Sequence, residues 1–459
     1  MVAKTRLSKE RGLLGALGPK SKEVIEMLME YEVNTEWAFG VFLRPVVWDR
    51  ADGCMLTDID GNEYIDFSSG FATAISGHSN RKVRGALFKQ AEKLTHAPDS
   101  PTLPRALLTR KLAEIMPRGL KRSVFGLNGG DAIEIALKLA RSHKKRSEII
   151  AFQGGFHGRA TYGCMSVTSV NFSKKGCFPQ VPGIHYVPYA YCYRCAFGKE
   201  YPECNLWCTD YIVNLLEGGM TGLAEPAALI VEPLLGAGGY VVPPDTYLPR
   251  LEKICREHDL LFIVDEMQTA FGRYGGKITA SDVLGVHPDI ITLGKGLTGG
   301  YPLSAAVTTD EVASSWSPVV HSATYTGNPL MCAVALAQID VVQELKLPER
   351  AKKLEARFRK AVEDNLSGSR CVGEISVKGL FCGIEIVEDK KMKKPAREEF
   401  MKRIADLNIE HGLMSGPPTD GIFHNRINLA PPLIITEELI EKGAAILGES
   451  IKKAEKEFL

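Results

Sequence analysis

The sequence predicts an α/β fold: a large domain with a mostly parallel mixed sheet, plus a smaller α+β domain built from both termini. Three observations point there. From about residue 78 to 342, short apolar runs alternate with amphipathic, helix-like segments. The runs are four to six residues long, rich in β-branched side chains and bounded by Gly, Pro or charge, as strands buried on both faces are. On either side of this stretch the pattern changes to short alternating runs and charged helices. A chain of 459 residues is too long for one ordinary core. The expected division is 1–77, 78–342 and 343–459, with the outer two segments sharing the small domain.

The elements follow in order. Residues 46–66 carry the turn signals Asp52-Gly53 and Asp60-Gly61 between alternating runs, as an antiparallel ribbon does. Ser123–Leu127, Glu148–Phe152, Ala228–Val231, Leu260–Val264 and Ile290–Leu293 read as buried strands, with helices over Asp131–His143 and Tyr247–His258. After about residue 345 come charged helical sequence, a strand within Gly379–Ile386 and a final helix from Thr436. In such folds the site lies at the carboxyl ends of the parallel strands.

Composition excludes several partners. With 56 basic and 55 acidic side chains, the chain offers no electrostatic case for nucleic acid or an anionic membrane. Met1–Arg11 lacks the apolar stretch of a signal peptide, and no run approaches the roughly 20 apolar residues of a spanning helix. A cytoplasmic protein is expected. Four of the 11 cysteines, Cys192, Cys195, Cys204 and Cys208, are spaced Cys-x2-Cys and Cys-x3-Cys. This spacing fits a structural zinc, disulfides or free thiols. The other cysteines read as small core residues.

Chemistry concentrates at two strand ends. The run Leu260–Val264 ends in Asp265, and Ile290–Leu293 leads into Gly294-Lys295-Gly296. A carboxylate and a lysine delivered this way suit pyridoxal 5'-phosphate (PLP): the lysine as Schiff-base partner, the aspartate on the pyridine nitrogen. Gly129 and Gly130 open a helix after a strand, which fits either a phosphate cradle or a tight turn. Asp131 suits the dipole of that helix's first turn. Phe156 and His157 stand in a glycine-rich loop, where Phe156 either stacks on a flat ring or merely packs. Ser322–Pro329 offers hydroxyls for phosphate or for capping the next helix.

In their order along the chain these motifs resemble the class III, 4-aminobutyrate/ornithine-like, PLP-dependent aminotransferases of the aspartate-aminotransferase-like fold type I. The resemblance runs from about Val41 to Ile434. It is strongest at Val264–Thr269 with Phe271-Gly272-Arg273, at Leu293–Leu297 and at Gly327–Leu330. It implies that Lys295 forms the Schiff base and moves the proton, that Asp265 pairs with the ring nitrogen, and that Gln268 bonds the phenolic oxygen. Met267 and Phe156 would cover the two ring faces, with His157 and Glu232 of the Glu-Pro motif among the cofactor's surroundings. Amides of Gly129 and Gly130 would hold phosphate, although the family commonly has a hydroxyl residue at Gly130. Thr324 matches a threonine that reaches phosphate from a neighbouring subunit, which implies a homodimer or a dimer of dimers with shared sites.

Three positions bear on substrate. Ala237 stands where many relatives have a glutamate gate. Asn428 occupies the usual arginine position, and Arg426 lies two residues earlier, on the same face of an extended chain. Arg426 then either reaches a substrate carboxylate or forms a surface salt bridge. Phe71 matches a pocket residue favouring apolar or amphipathic side chains. The resemblance implies a ping-pong aminotransferase passing nitrogen from an ω-amino acid such as 4-aminobutyrate, an amine or an amino acid to pyruvate or 2-oxoglutarate. An amino-acid racemase or epimerase on the same scaffold is the alternative. A non-catalytic cofactor-sensing module is more remote, because the basic N-terminal segment of about 30 residues is too short for a helix-turn-helix domain.

Overall fold

A computed structural model describes residues 17–33, 46–318, 320–416 and 425–459. The readings of Met1–Arg11 and of Val41 lie outside the described residues. At the centre is a seven-stranded sheet ordered Arg122–Gly126, Ser304–Thr308, Ile290–Leu293, Leu261–Asp265, Pro226–Val231, Glu148–Phe152, Ile184–Val187. Ser304–Thr308 is antiparallel to both its neighbours, and the remaining pairs are parallel. The sheet is therefore mixed and mostly parallel.

Both faces of this sheet are covered, which explains the unbroken apolar runs. Phe262 and Val264 face one core with Leu248 and Leu251 of the helix Tyr247–Glu257. Leu261 and Ile263 face the opposite core, with Ile133 and Leu137 of the helix Gly129–Lys144. Two strands of this sheet escaped the sequence reading. Ile184–Val187 is a half-exposed edge strand containing His185, and Ser304–Thr308 consists of small side chains hemmed in by two neighbours.

The flanks come together in space. Trp48–Asp52, Met55–Asp58 and Glu63–Asp66 form an antiparallel ribbon, extended by Leu413–Met414 pairing parallel to Glu63–Asp66. A further sheet joins Val372–Lys378, Phe381–Asp389, Lys394–Pro395 and Arg426–Leu429. The helix Glu437–Phe458, capped by Thr436, packs against the helices Leu347–Leu366 and Glu398–Glu410. Among the described residues no helix is long and apolar enough to cross a membrane.

The closing helix rests on Phe67 through Gly443, where an added Cβ would strike the phenyl ring. Overpacking of this kind costs about 1–3 kcal/mol. Gly443→Ala is accordingly expected to lower the unfolding free energy by that amount, read from the midpoint of chemical denaturation.

Candidate active site

The parallel strands deliver one chemical group after another at their carboxyl edge. Leu261–Asp265 ends in Asp265, which lies opposite Thr292 of the neighbouring strand. That register lets the Thr292 hydroxyl donate to Asp265 Oδ1 at 3.0 Å, while the Met267 amide donates to the same oxygen at 3.0 Å. His157 Nδ1 lies 2.7 Å from Oδ2. Asp265 and His157 are both buried. Burial opposes charge on His157, but its contact with Asp265 and the fields of Asp265 and Glu232 outweigh this and raise its pKa. Thr292 and the His157–Asp265 contact were not foreseen; the alternation of sides along paired strands was the available signal for Thr292.

Ile290–Leu293 leads through Gly294 into Lys295, which opens a 3₁₀ turn with φ 42°. An added Cβ on Gly294 would lie 2.6 Å from Met267 Sδ, so a larger residue there would displace the Met267 side chain. Lys295 is partly buried, and desolvation lowers its pKa against the opposing pull of Asp265 and Glu232.

Glu232 follows the strand Pro226–Val231 and is buried. Its carboxylate accepts from the Phe156 amide at 2.8 Å and the Gly236 amide at 2.9 Å. Burial pushes its pKa up, with His157 pulling the other way and Asp265 adding to the rise. Glu232 thus ties the loop after Glu148–Phe152 to the Glu-Pro turn. Phe156 is half-buried beside it.

Gly129 and Gly130 are the first two residues of the helix Gly129–Lys144. Asn128 caps it reciprocally with Asp131, whose carboxylate also accepts from the Leu127 amide at 2.8 Å. The first amides of a helix have no acceptor within it, and its dipole favours an anion there. Gly129 abuts Met267, with a virtual Cβ 3.3 Å from Sδ; at Gly130 the neighbours are Asn128 Oδ1 and Cys164 Sγ, each at 3.0 Å. A hydroxyl-bearing residue at Gly130 would crowd both.

The remaining positions are more dispersed. Gln268 is half-buried, and its Oε1 has no partner among the described residues. Ala237 lies in the turn after Glu232, half-buried, and Thr324 is exposed in the segment before the helix Pro329–Glu344. Phe71 is 53% exposed on a left-handed turn in which Ser69, Phe71 and Ala72 all have positive φ. Such backbone is costly for residues with a Cβ and persists only where neighbours enforce it. Here Asp66 Oδ1 accepts from the amides of Ser68 (2.7 Å) and Ser69 (2.9 Å), and the Ser69 hydroxyl donates to Ala430 O at 2.6 Å.

One expectation requires correction. Arg426 neither lines an open site nor lies at the surface: it is fully buried and each guanidinium nitrogen has an acceptor. The strand Arg426–Leu429 points it into the protein, beneath the Glu-Pro turn. The zinc alternative finds no support: no group of three or more His, Cys, Asp or Glu among the described residues is arranged to hold a metal ion. Cys192, Cys195, Cys204 and Cys208 are free thiols around one small aromatic-walled hollow. Cys177 is exposed, unlike the remaining cysteines, which are buried.

The family model for class III aminotransferases matches residues 40–451. The chain belongs to the class III aminotransferase family. Among its relatives is the leucine/methionine racemase of Thermococcus litoralis, 36% identical, with 95% of this chain and 96% of that protein aligned. Another is the acetylornithine aminotransferase of Methanopyrus kandleri, 35% identical over 93% of this chain and 98% of that one. A solved amine transaminase from an uncultivated Pseudomonas species, in a PLP-bound form, superposes with a TM-score of 0.82 at 30% identity, covering 90% and 95% of the two chains. Class III aminotransferases use PLP, and the residues of this member fit it. The glycine amides suit a phosphate, the buried carboxylate suits a protonated ring nitrogen, and the unpartnered Gln268 Oε1 can accept from a ring hydroxyl.

The neutral lysine is the reactive form, and it accumulates as pH rises through the pKa of Lys295. Because that pKa is lowered, the rate at which apo-protein captures PLP is expected to rise with pH and level off below the ordinary lysine value of 10.5. Stopped-flow absorbance of the bound cofactor measures it; a rise still unsaturated at that value contradicts the assignment.

Proposed function

We propose that this class III member is a PLP-dependent aminotransferase, moving an amino group from an ω-amino acid, amine or α-amino acid to an oxo acid such as pyruvate or 2-oxoglutarate. The observation that carries this reading is Asp265 and Lys295 at the carboxyl ends of adjacent parallel strands, the carboxylate engaged at both oxygens and the lysine's charge disfavoured by burial. When bound, PLP supplies an electron sink for the bonds at the substrate's Cα.

The chain's residues supply the rest. Asp265 would hold the proton on the ring nitrogen, with Thr292, His157 and the Met267 amide keeping the carboxylate oriented. Lys295, neutral when desolvated, would take the proton from the substrate's Cα and be the group that returns it. Gly129 and Gly130 would bind the phosphate through their amides, Met267 and Phe156 would bracket the ring, and Gln268 would meet its phenolic oxygen. Ala237 leaves the turn after Glu232 without a carboxylate, so a gate of the glutamate–arginine kind has no acidic member there. Phe71 would favour apolar or amphipathic donors. Thr324, exposed in one chain, would complete the phosphate site of a second, and a homodimer is the assembly that follows.

A second reading is amino-acid racemisation, favoured by the 36% identity to the leucine/methionine racemase. The two differ in the fate of nitrogen. Incubation with single chiral amino acids and amines is expected to show nitrogen transfer that requires an oxo acid; inversion in its absence establishes racemisation instead. Lys295→Ala should lower either turnover by at least about a hundredfold. Light scattering on the eluting holoenzyme should give a mass of two chains or a multiple of two, and a monomer with full activity removes the role given to Thr324.

A further inference from the structure

Arg426, once detached from substrate binding, acquires a different use. It lies directly across from Glu385, which in turn pairs with Glu374 on the next strand, and its side chain crosses that sheet. Nη1 donates to Glu374 at 2.6 Å and to the Tyr191 hydroxyl at 3.1 Å. Nη2 donates to Gly383 O at 3.0 Å and to the Ser376 hydroxyl. Nε donates to Gly239 O at 2.6 Å. Glu385 is shared with Arg194, at 2.7 Å, and with the Tyr191 hydroxyl.

The bond to Gly239 matters most, because Gly239 belongs to the turn that follows Glu232. Leu235 and Val241 close this turn by reciprocal backbone bonds of 3.1 and 3.2 Å. Three glycines allow it to be wedged in place. A Cβ on Gly239 would strike the Arg426 chain, 2.5 Å from Cδ; on Gly238 it would meet Gly154 O at 2.7 Å; on Gly236 it would meet Gln268 Nε2 at 2.6 Å. Gly236 also donates to Glu232 at 2.9 Å. One face of the turn thus rests on Arg426, while the others touch Gln268, Glu232 and the loop that carries Phe156 and His157.

We propose that Arg426 is a positioning residue that clamps the Leu235–Val241 turn and thereby sets Gln268, Glu232 and Ala237, without contacting substrate. A buried fork with every nitrogen engaged has no donor left for a substrate carboxylate, and withdrawing it would leave Glu374 without its cation. The proposal deepens the PLP reading of the site and rests on it only for the catalytic part of the test.

The test compares Arg426→Met and Arg426→Lys with the parent protein in three measurements. Hydrogen exchange of peptides spanning 232–241 in the PLP-free protein should quicken in Arg426→Met, less so in Arg426→Lys, which can still reach Gly239 O but cannot fork. This readout is independent of any cofactor or reaction. Titration with PLP, followed by protein fluorescence, should show affinity reduced about tenfold to a hundredfold, the size expected of misplacement on the order of 1 Å. For an α-amino acid and a carboxylate-free amine, kcat/KM should fall by the same factor. Unchanged exchange in residues 232–241 overturns the clamp. A rise in KM confined to the amino acid, with PLP affinity intact, overturns it in favour of substrate binding. If Arg426→Met does not fold, Glu374→Ala and Ser376→Ala each remove one acceptor of the fork; the same pattern at smaller amplitude is expected, and no change in either variant rejects the proposal. Parent protein that takes up no PLP defeats the cofactor reading while leaving the exchange result to judge the clamp.

Discussion

The contact on which the rest of the site depends is the one between Asp265 and its three donors. A carboxylate buried at the end of a central strand must have its oxygens satisfied. Thr292 can supply one bond only in the observed register, His157 only if the loop after Glu148–Phe152 folds back over the strand ends, and Met267 only if the chain turns at once. Each requirement fixes a neighbour: Thr292 leads to Lys295, His157 to Phe156, Met267 to Gln268. The demands of one buried charge thus organise the loops around it.

Glycine provides the closeness that these demands create. Gly294 lets the lysine loop reach Met267, and Gly239 lets the Glu-Pro turn lie against Arg426. Glu232 joins loops from two strands by accepting an amide from each. Removing water from around Lys295 and Glu232 has opposite consequences for the two, lowering the pKa of the amine and raising that of the acid. The same burial therefore favours the uncharged form of both.

Much of this was legible beforehand because strands buried on both faces leave a strong trace. Leu260–Val264 and Ile290–Leu293 have no polar interruption, so their ends, and the residues just beyond, stand out. Glycine pairs before an amphipathic helix are similarly visible at Gly129-Gly130. Ser304–Thr308 left no such trace, since its small side chains reflect crowding by neighbours far away in sequence. Spacing also could not tell which way Arg426 points. Both of its expected fates assumed solvent on that face, but Phe381–Asp389 and the Glu-Pro turn cover it.

By itself the sequence determined the alternating architecture, the strand-end positions of Asp265 and Lys295 and membership of a family whose motifs it carries in order. These properties are local: they depend on periodicity, on residue type and on what directly follows an apolar run. Only the tertiary structure decided that Thr292 and His157 hold Asp265 and that Arg426 belongs to the protein's interior. Those outcomes depend on which segments meet across the sheet, and a side chain's freedom to meet a ligand is set by the partners that reach it first.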